Sequence, residues 1–175
     1  DESGSMCSCD RCTYARSSAI ILYDFCKALH IPVTVYGHST SGSSVELYSY
    51  AEFESIDNDD KYRMMDIAAR GSNRDGAALR FVAEQLVKRP EEVKILILVS
   101  DGQPAAPGYY GSAAEEDLRG IRQEYRRKGV LFIAAAIGED KQNIERIYGD
   151  SFMDITDLNQ LPVKLTAAVK RHMRV

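Results

Sequence analysis

No stretch of the 175-residue chain approaches the ~20 consecutive apolar residues that a membrane-spanning helix needs. The longest apolar runs, around Ile95–Val99 and Val130–Ile137, have the length of buried strands. Basic charge is not in excess either: 22 Lys and Arg stand against 26 Asp and Glu, a net charge of −4. That balance is unsuited to wrapping a phosphate backbone and excludes nucleic acid as the expected partner. The four cysteines form no evenly spread framework. Cys7, Cys9 and Cys12 crowd together and Cys26 lies in an apolar helical pattern. The thiols therefore read as reduced and the compartment as cytoplasmic. Also missing are an internal repeat, a linker rich enough to split the chain, a starting methionine and a basic-then-apolar leader. The abrupt opening Asp1-Glu2-Ser3-Gly4-Ser5-Met6 reads as the middle of something longer and leaves an upstream targeting segment open.

What is present describes an ordinary globular domain, 45% apolar and 27% charged, long enough to hold a core without staples. One domain over residues 1–175 is expected. Helices are expected over Ala15–Leu29, Asp57–Ala69, Ala77–Lys88, Ala113–Lys128, Asp140–Tyr148 and Leu158–His172, from apolar residues at three- and four-residue steps. Strands are expected over Val33–Gly37, Val93–Val99, Val130–Ile137 and Phe152–Ile155, the middle two as near-continuous apolar runs. Val45–Phe53 instead alternates, as an edge strand with one wet face does. His38–Ser44 reads as a polar loop, and the stretch after Gly102 as a Pro/Gly/Tyr-rich loop. Apolar strands alternating with helices give an α/β fold: a doubly wound, Rossmann-like, mostly parallel sheet with one antiparallel edge strand and helices on both faces.

In such folds ligands bind outside the carboxyl ends of the strands. Three places deliver polar residues there. The strand Val93–Val99 runs into Asp101 of Ser100-Asp101-Gly102. The N-terminal segment offers Asp1, Ser3 and Ser5, whose alternate spacing puts three side chains on one side of an extended turn. The loop Ser72–Asp75 offers Asp75 before a helix. All are hard oxygen donors, the kind Mg²⁺ takes, with Mn²⁺ or Ca²⁺ compatible with the same set.

Each residue also has a plainer reading. Asp1, Ser3 and Ser5 alone would be an N-cap cluster, and Asp101 alone a turn residue. Cys7, Cys9 and Cys12 match no common zinc or cluster spacing and read as packed or rim residues. His38 reads as ordinary loop polarity on the site rim, with partner contact as the alternative. Tyr109 and Tyr110 are either loop packing or a contact surface. Arg74 reads as bracing its loop by pairing with acids, and Arg122, Arg126, Arg127 and Lys128 as a solvated helix face.

Asp-x-Ser-Gly-Ser-Met, a later loop aspartate and Ser-Asp-Gly after an apolar strand together resemble the von Willebrand factor type A domain and its metal-ion-dependent adhesion site. Phe132–Gly138 followed by Asp140…Ile144-Glu145-Arg146-Ile147-Tyr148-Gly149 is similar to that family's fifth strand and next helix. The resemblance implies that Ser3 and Ser5 ligate Mg²⁺ through hydroxyls, with Asp1 and Asp101 holding it mostly through water. Asp75 stands where many members have threonine and adds a third carboxylate. Asn73-Arg74-Asp75-Gly76 with Ser100-Asp101-Gly102-Gln103-Pro104 resembles the A domains of bacterial nitric oxide reductase activation proteins and of the large auxiliary subunit of cobalt chelatase. That narrower resemblance implies a non-enzymatic adaptor binding a ring-forming ATPase of the MoxR or chelatase type, or its client metalloenzyme, in metalloenzyme activation or metal insertion.

The alternatives are an extracellular adhesion domain of the same family and a phosphatase on the same frame. The phosphatase wants a second carboxylate where Ser3 stands. A serine hydrolase lacks its Gly-x-Ser-x-Gly elbow around Ser5. The resemblance implies one more thing. In that family a central strand immediately precedes Asp-x-Ser-Gly-Ser, and here it is missing. An apolar Val/Ile/Leu-rich run is expected just upstream; a chain truly starting at Asp1 would put an amino group beside the site and weaken it.

Overall fold

The computed structural model describes residues 1–54, 57–102, 104–136 and 141–173. In chain order the elements are α1 (Arg11–Ala28), β1 (Val35–Ser41), β2 (Ser44–Ala51), α2 (Asp60–Met64), α3 (Asp75–Val87), β3 (Lys94–Val99), β4 (Ala105–Ala106), β5 (Tyr109–Tyr110), α4 (Gly111–Arg127), β6 (Val130–Ala136), α5 (Lys141–Tyr148), β7 (Phe152–Asp154) and α6 (Leu161–Met173).

β3, β6 and β7 form a parallel sheet in the order β3-β6-β7, with Leu96 opposite Phe132 and Ala134 opposite Phe152. Successive side chains of a strand point to opposite faces, so each run feeds two cores. Leu96, Leu98, Phe132 and Ala134 pack with Leu79, Leu118, Ile121, Ile144 and Tyr148 of α3, α4 and α5. Ile95, Ile97, Ile133 and Ala135 pack with Phe25, Leu161 and Leu165 of α1 and α6. Burial on both faces is why these strands are apolar throughout, and the expected α/β architecture is the one observed.

β1 and β2 form an antiparallel hairpin closed at Ser41 and Ser44, with Gly42 at φ 58°, where a side chain would be strained. Its Tyr50 and Ala51 join Tyr23, Met64 and Ile67 in a third core. Two expectations are corrected here. His38–Ser41 is strand, not loop: the run is too polar to read as one, yet it pairs residue by residue with Ser44–Leu47. The helix expected over Asp57–Ala69 is only Asp60–Met64. Tertiary partners take its backbone groups: Arg16 donates to the Ile67 carbonyl at 2.7 Å, and Arg70 N–H donates to the Glu2 carbonyl at 2.7 Å. The loop after Gly102 also carries the small hairpin β4–β5. Other boundaries lie within a few residues of expectation. Gln103, the strand end at Ile137 and Gly138, and the helix start at Asp140 lie outside the described residues.

Among the described residues no strand joins β1 to β3, so the hairpin and the parallel sheet are separate ladders. Between them runs a cleft of about 780 Å³. Val35 and Gly37 line one side, Ile95, Ile97 and Val99 the other, with Leu22 and Phe25 of α1 and Leu79 and Val82 of α3 closing it.

Candidate metal centre

The polar residues gather where β3 and β1 end. Asp1 is the hub. Its Oδ1 accepts the Ser3 backbone N–H at 2.8 Å, an Asx turn that aims Ser3 along the same side. Its Oδ2 accepts from Asn73 Nδ2 at 3.0 Å and from Ser100 Oγ at 2.8 Å. Ser3 Oγ and Ser5 Oγ lie 3.1 Å apart; Ser3 is buried and Ser5 exposed. Asp101 follows Ser100 at the end of β3 and is 1% exposed, as is Asp75, the first residue of α3. A carboxylate in the first turn of a helix is favoured by the helix dipole.

Backbone bonds stitch these loops together. Glu2 N–H donates to the His38 carbonyl at 2.8 Å, and Gly4 N–H to that of Gly71 at 2.7 Å. Thr40 and Ser72 exchange both bonds, at 2.9 and 2.8 Å, and Ala105 N–H donates to the Asn73 carbonyl at 3.2 Å. Alternation turns Glu2 away from Asp1. Its buried carboxylate accepts from Tyr50 Oη and Arg70 Nε, both at 2.6 Å. Gly37 leaves room for it, since a Cβ there would strike the Glu2 carboxylate.

The residue that sequence reasoning undervalued is His38. It is 6% exposed and faces inward from β1, with Nε2 2.6 Å from Asp75 Oδ1. Burial and the nearby amino group of Asp1 hold its pKa down, against the hydrogen bond and charge of Asp75. Asp75 Oδ2, also buried, has no hydrogen-bond partner. Asp1, His38 and Asp75 each offer one ligand atom, all within 4.8 Å of one another. The amino group of Asp1 donates to the Val99 carbonyl at 3.0 Å, and burial pushes its pKa down against the pull of Asp75, Glu2 and Asp101.

A buried carboxylate oxygen left without a donor costs free energy that a cation would offset. Carboxylates and hydroxyls are the donor kinds a hard divalent ion takes.

Other expectations resolve in the loops and helices around the site. Arg74 braces its loop through the Pro107 carbonyl, at 2.5 Å, and the Tyr109 ring instead of an acid. Tyr109 is loop packing, its hydroxyl donating to Asp117 at 2.8 Å, while Tyr110 is 69% exposed. Arg122 clamps α4 to the Tyr148 carbonyl and Asp150, so the basic run is only partly a solvated face. All four cysteines are free thiols, with Cys7 and Cys9 exposed.

Gly71 sets the spacing between the hairpin and the loop bearing Asn73 and Asp75, because a Cβ there would strike the Thr40 carbonyl. Backbone cannot swing aside as a flexible side chain can. Gly71→Ala is expected to lower the thermal midpoint by several degrees and to weaken divalent-cation binding about tenfold or more, read by calorimetric titration. Parent-like affinity in the variant would show that the loop does not hold the site.

The family model for the cobalamin biosynthesis protein CobT VWA domain matches residues 60–173. Among curated relatives, the uncharacterized protein YojO of Bacillus subtilis (strain 168) is 24% identical over 93% of this chain and 27% of its own length. Protein NorD of Brucella suis biovar 1 is 34% identical over 54% of this chain and 15% of its own length. The chain thus spans about a quarter or less of these relatives. A solved structure of proximal thread matrix protein 1 from the mussel byssus, with zinc in its MIDAS motif, superposes with a TM-score of 0.63. It covers 97% of this chain and 45% of its own at 19% identity, a likeness of fold alone. With well over half of its length inside that model, the chain belongs to the family of the CobT-type von Willebrand factor A domain.

Proposed function

We propose that the domain is a non-enzymatic, divalent-cation-dependent protein-binding module. Asp1, Ser3, Ser5, Asp75 and Asp101 are the residues that would hold the ion. The observation that carries this reading is the buried, unpartnered Asp75 Oδ2, on a side chain whose ligand atom lies within 4.8 Å of one from Asp1. The oxygen donors alone fit Mg²⁺. The zinc held by the mussel protein's motif supports a divalent site on this fold.

When bound, the ion supplies positive charge and an open coordination position for an acidic group of a partner. The chain's own residues set the rest. Asn73, Ser100 and the Ser3 N–H fix the Asp1 carboxylate before any ion arrives. Exposed Ser5 marks the side open to a partner. The kinship with NorD and the CobT domain supports an adaptor role toward a ring-forming ATPase of the chelatase type or its client metalloenzyme. Free, exposed Cys7 and Cys9 support a reducing, cytoplasmic setting. No helix among the described residues is long and apolar enough to cross a membrane.

The test is capture of a chelatase-type ring ATPase from the same source, with divalent cation and with EDTA. Binding is expected with the ion and to fall about 100-fold or more in EDTA and in Asp101→Ala, with circular dichroism unchanged. Undiminished capture in EDTA sinks the reading.

We infer also that the cleft between β1 and β3 takes an extended apolar strand continuous with Asp1. Two adjoining backbone nitrogens support this: that of Asp1 bonds to the end of β3 and that of Glu2 to β1, so Asp1 lies between the two ladders.

A further inference from the structure

We propose that His38 is a nitrogen ligand of the same ion, and that this pocket takes a borderline first-row transition ion, of the zinc or cobalt class, in preference to Mg²⁺. The proposal rests on reading the pocket as a cation site and goes beyond it in naming the ion class and a ligand.

The position of the imidazole carries it. β1 changes character midway. Its amino half holds Val35 and Tyr36, while His38, Ser39 and Thr40 are polar and buried at its carboxyl half. Polar side chains are buried at a cost unless something answers them. Ser39 is answered by the Gly71 N–H, its Oγ accepting at 2.8 Å. For His38, the polar group near Nε2 is Asp75 Oδ1, at 2.6 Å. The strand backbone leaves the ring little freedom to turn away. Its residue is paired with Leu47 on one side, and its carbonyl accepts from Glu2 N–H on the other.

Asp1, His38 and Asp75 therefore converge on one point from three separate segments, with ligand atoms within 4.8 Å of one another. The second carboxylate oxygen of Asp75 is buried there without a partner. A tight carboxylate–imidazole contact satisfies Asp75 by half only. An ion between the three groups would satisfy both oxygens' need for positive charge.

Donor chemistry then decides the ion. Mg²⁺ takes oxygen ligands, keeps several waters and gains little from imidazole. Zinc, cobalt and nickel bind neutral imidazole well, and their affinity for a mixed N/O set exceeds that of hard ions. The alternative role for His38 is to donate to Asp75 and orient it without touching the ion. Both roles use the same contact, so the experiment must separate them.

The exposed thiols of Cys7 and Cys9 would themselves take zinc, so binding is measured in the Cys7→Ser, Cys9→Ser, Cys12→Ser chain. Competition titrations are expected to give a Zn²⁺ affinity at least 100-fold above that for Mg²⁺. His38→Gln is expected to lower the Zn²⁺ affinity about tenfold or more while Mg²⁺ affinity stays within threefold. In the unsubstituted ring, long-range ¹⁵N–¹H spectra are expected to show the Nε2 resonance of His38 move to the range of metal-bound nitrogen on adding Zn²⁺. An unchanged zinc-to-magnesium ratio in His38→Gln, with an unmoved Nε2 resonance, overturns the proposal and leaves the oxygen-only site standing. Failure of every divalent ion to bind would instead overturn the cation-site reading beneath it.

Discussion

Replacing Asp75 with alanine is expected to abolish the rise in thermal midpoint that a divalent cation gives the unsubstituted chain. An ion that binds only the folded state stabilises it by about 2.7 kcal/mol at a hundred times its dissociation constant. In a domain of this size each kcal/mol moves the midpoint by roughly 2–4 °C, so a rise of about 5–10 °C is the quantity at stake. Asp75 decides it because its side chain is 1% exposed, with one oxygen on His38 and the other on nothing. Alanine also strips His38 of that partner, so ion-free stability can fall for an unrelated reason. Asp75→Asn separates the two effects. The amide keeps the volume and an acceptor for Nε2 while losing the charge. Its ion-free midpoint is expected within about 2 °C of the parent, with most of the ion-induced rise gone. Scanning fluorimetry with and without cation reads both. A full rise in both variants would remove Asp75 from the site.

The same pocket explains which parts of the molecule were legible in the sequence. β3 and β6 were, because burial on both faces makes a strand an unbroken apolar run. The placement of Asp101 just past a strand and of Asp75 at a helix start was, because an apolar run before Ser-Asp-Gly and a polar loop before an amphipathic stretch mark those ends. The second half of β1 was not. Its side chains answer Asp75 and the Gly71 loop instead of an apolar core, so strand chemistry there looks like loop chemistry. That hid His38: a histidine in a polar run has no periodic signal until pairing with Leu47 turns it inward. α2 misled for another reason. Its downstream carbonyl at Ile67 and amide at Arg70 are claimed by Arg16 and Glu2, contacts 51 and 68 residues away that no local window contains. Arg74 misled because its acceptor is a backbone carbonyl, which composition does not show.

Extending the chain upstream of Asp1 by an apolar Val/Ile/Leu-rich strand, the proposed occupant of the cleft between β1 and β3, is expected to raise the thermal midpoint by about 10 °C or more. β1 is paired on one edge by β2 and β3 on one edge by β6, and their facing edges have no strand partner among the described residues. Backbone groups left that way forgo a ladder's worth of hydrogen bonds and offer an edge for aggregation. The cleft between them, about 780 Å³ and walled by aliphatic and aromatic side chains, is suited to side chains of Val, Ile or Leu. Each such side chain contributes roughly 1.5–3 kcal/mol when fully buried. The entry angle is set, since the backbone nitrogens of Asp1 and Glu2 reach one ladder each. A strand there would also hold Asp1 in place, so cation affinity is expected to rise with stability. Hydrogen exchange gives the local readout. Amides of Val35–Ser41 and Lys94–Val99 are expected to slow together in the extended chain, and binding of a hydrophobic dye to the cleft to disappear. Substituting aspartate at alternate positions of that strand is expected to undo all three effects, because burying carboxylates against the largely apolar walls costs their hydration. If the added strand leaves both the midpoint and the exchange of β1 and β3 unchanged, the cleft serves something other than a strand continuous with Asp1.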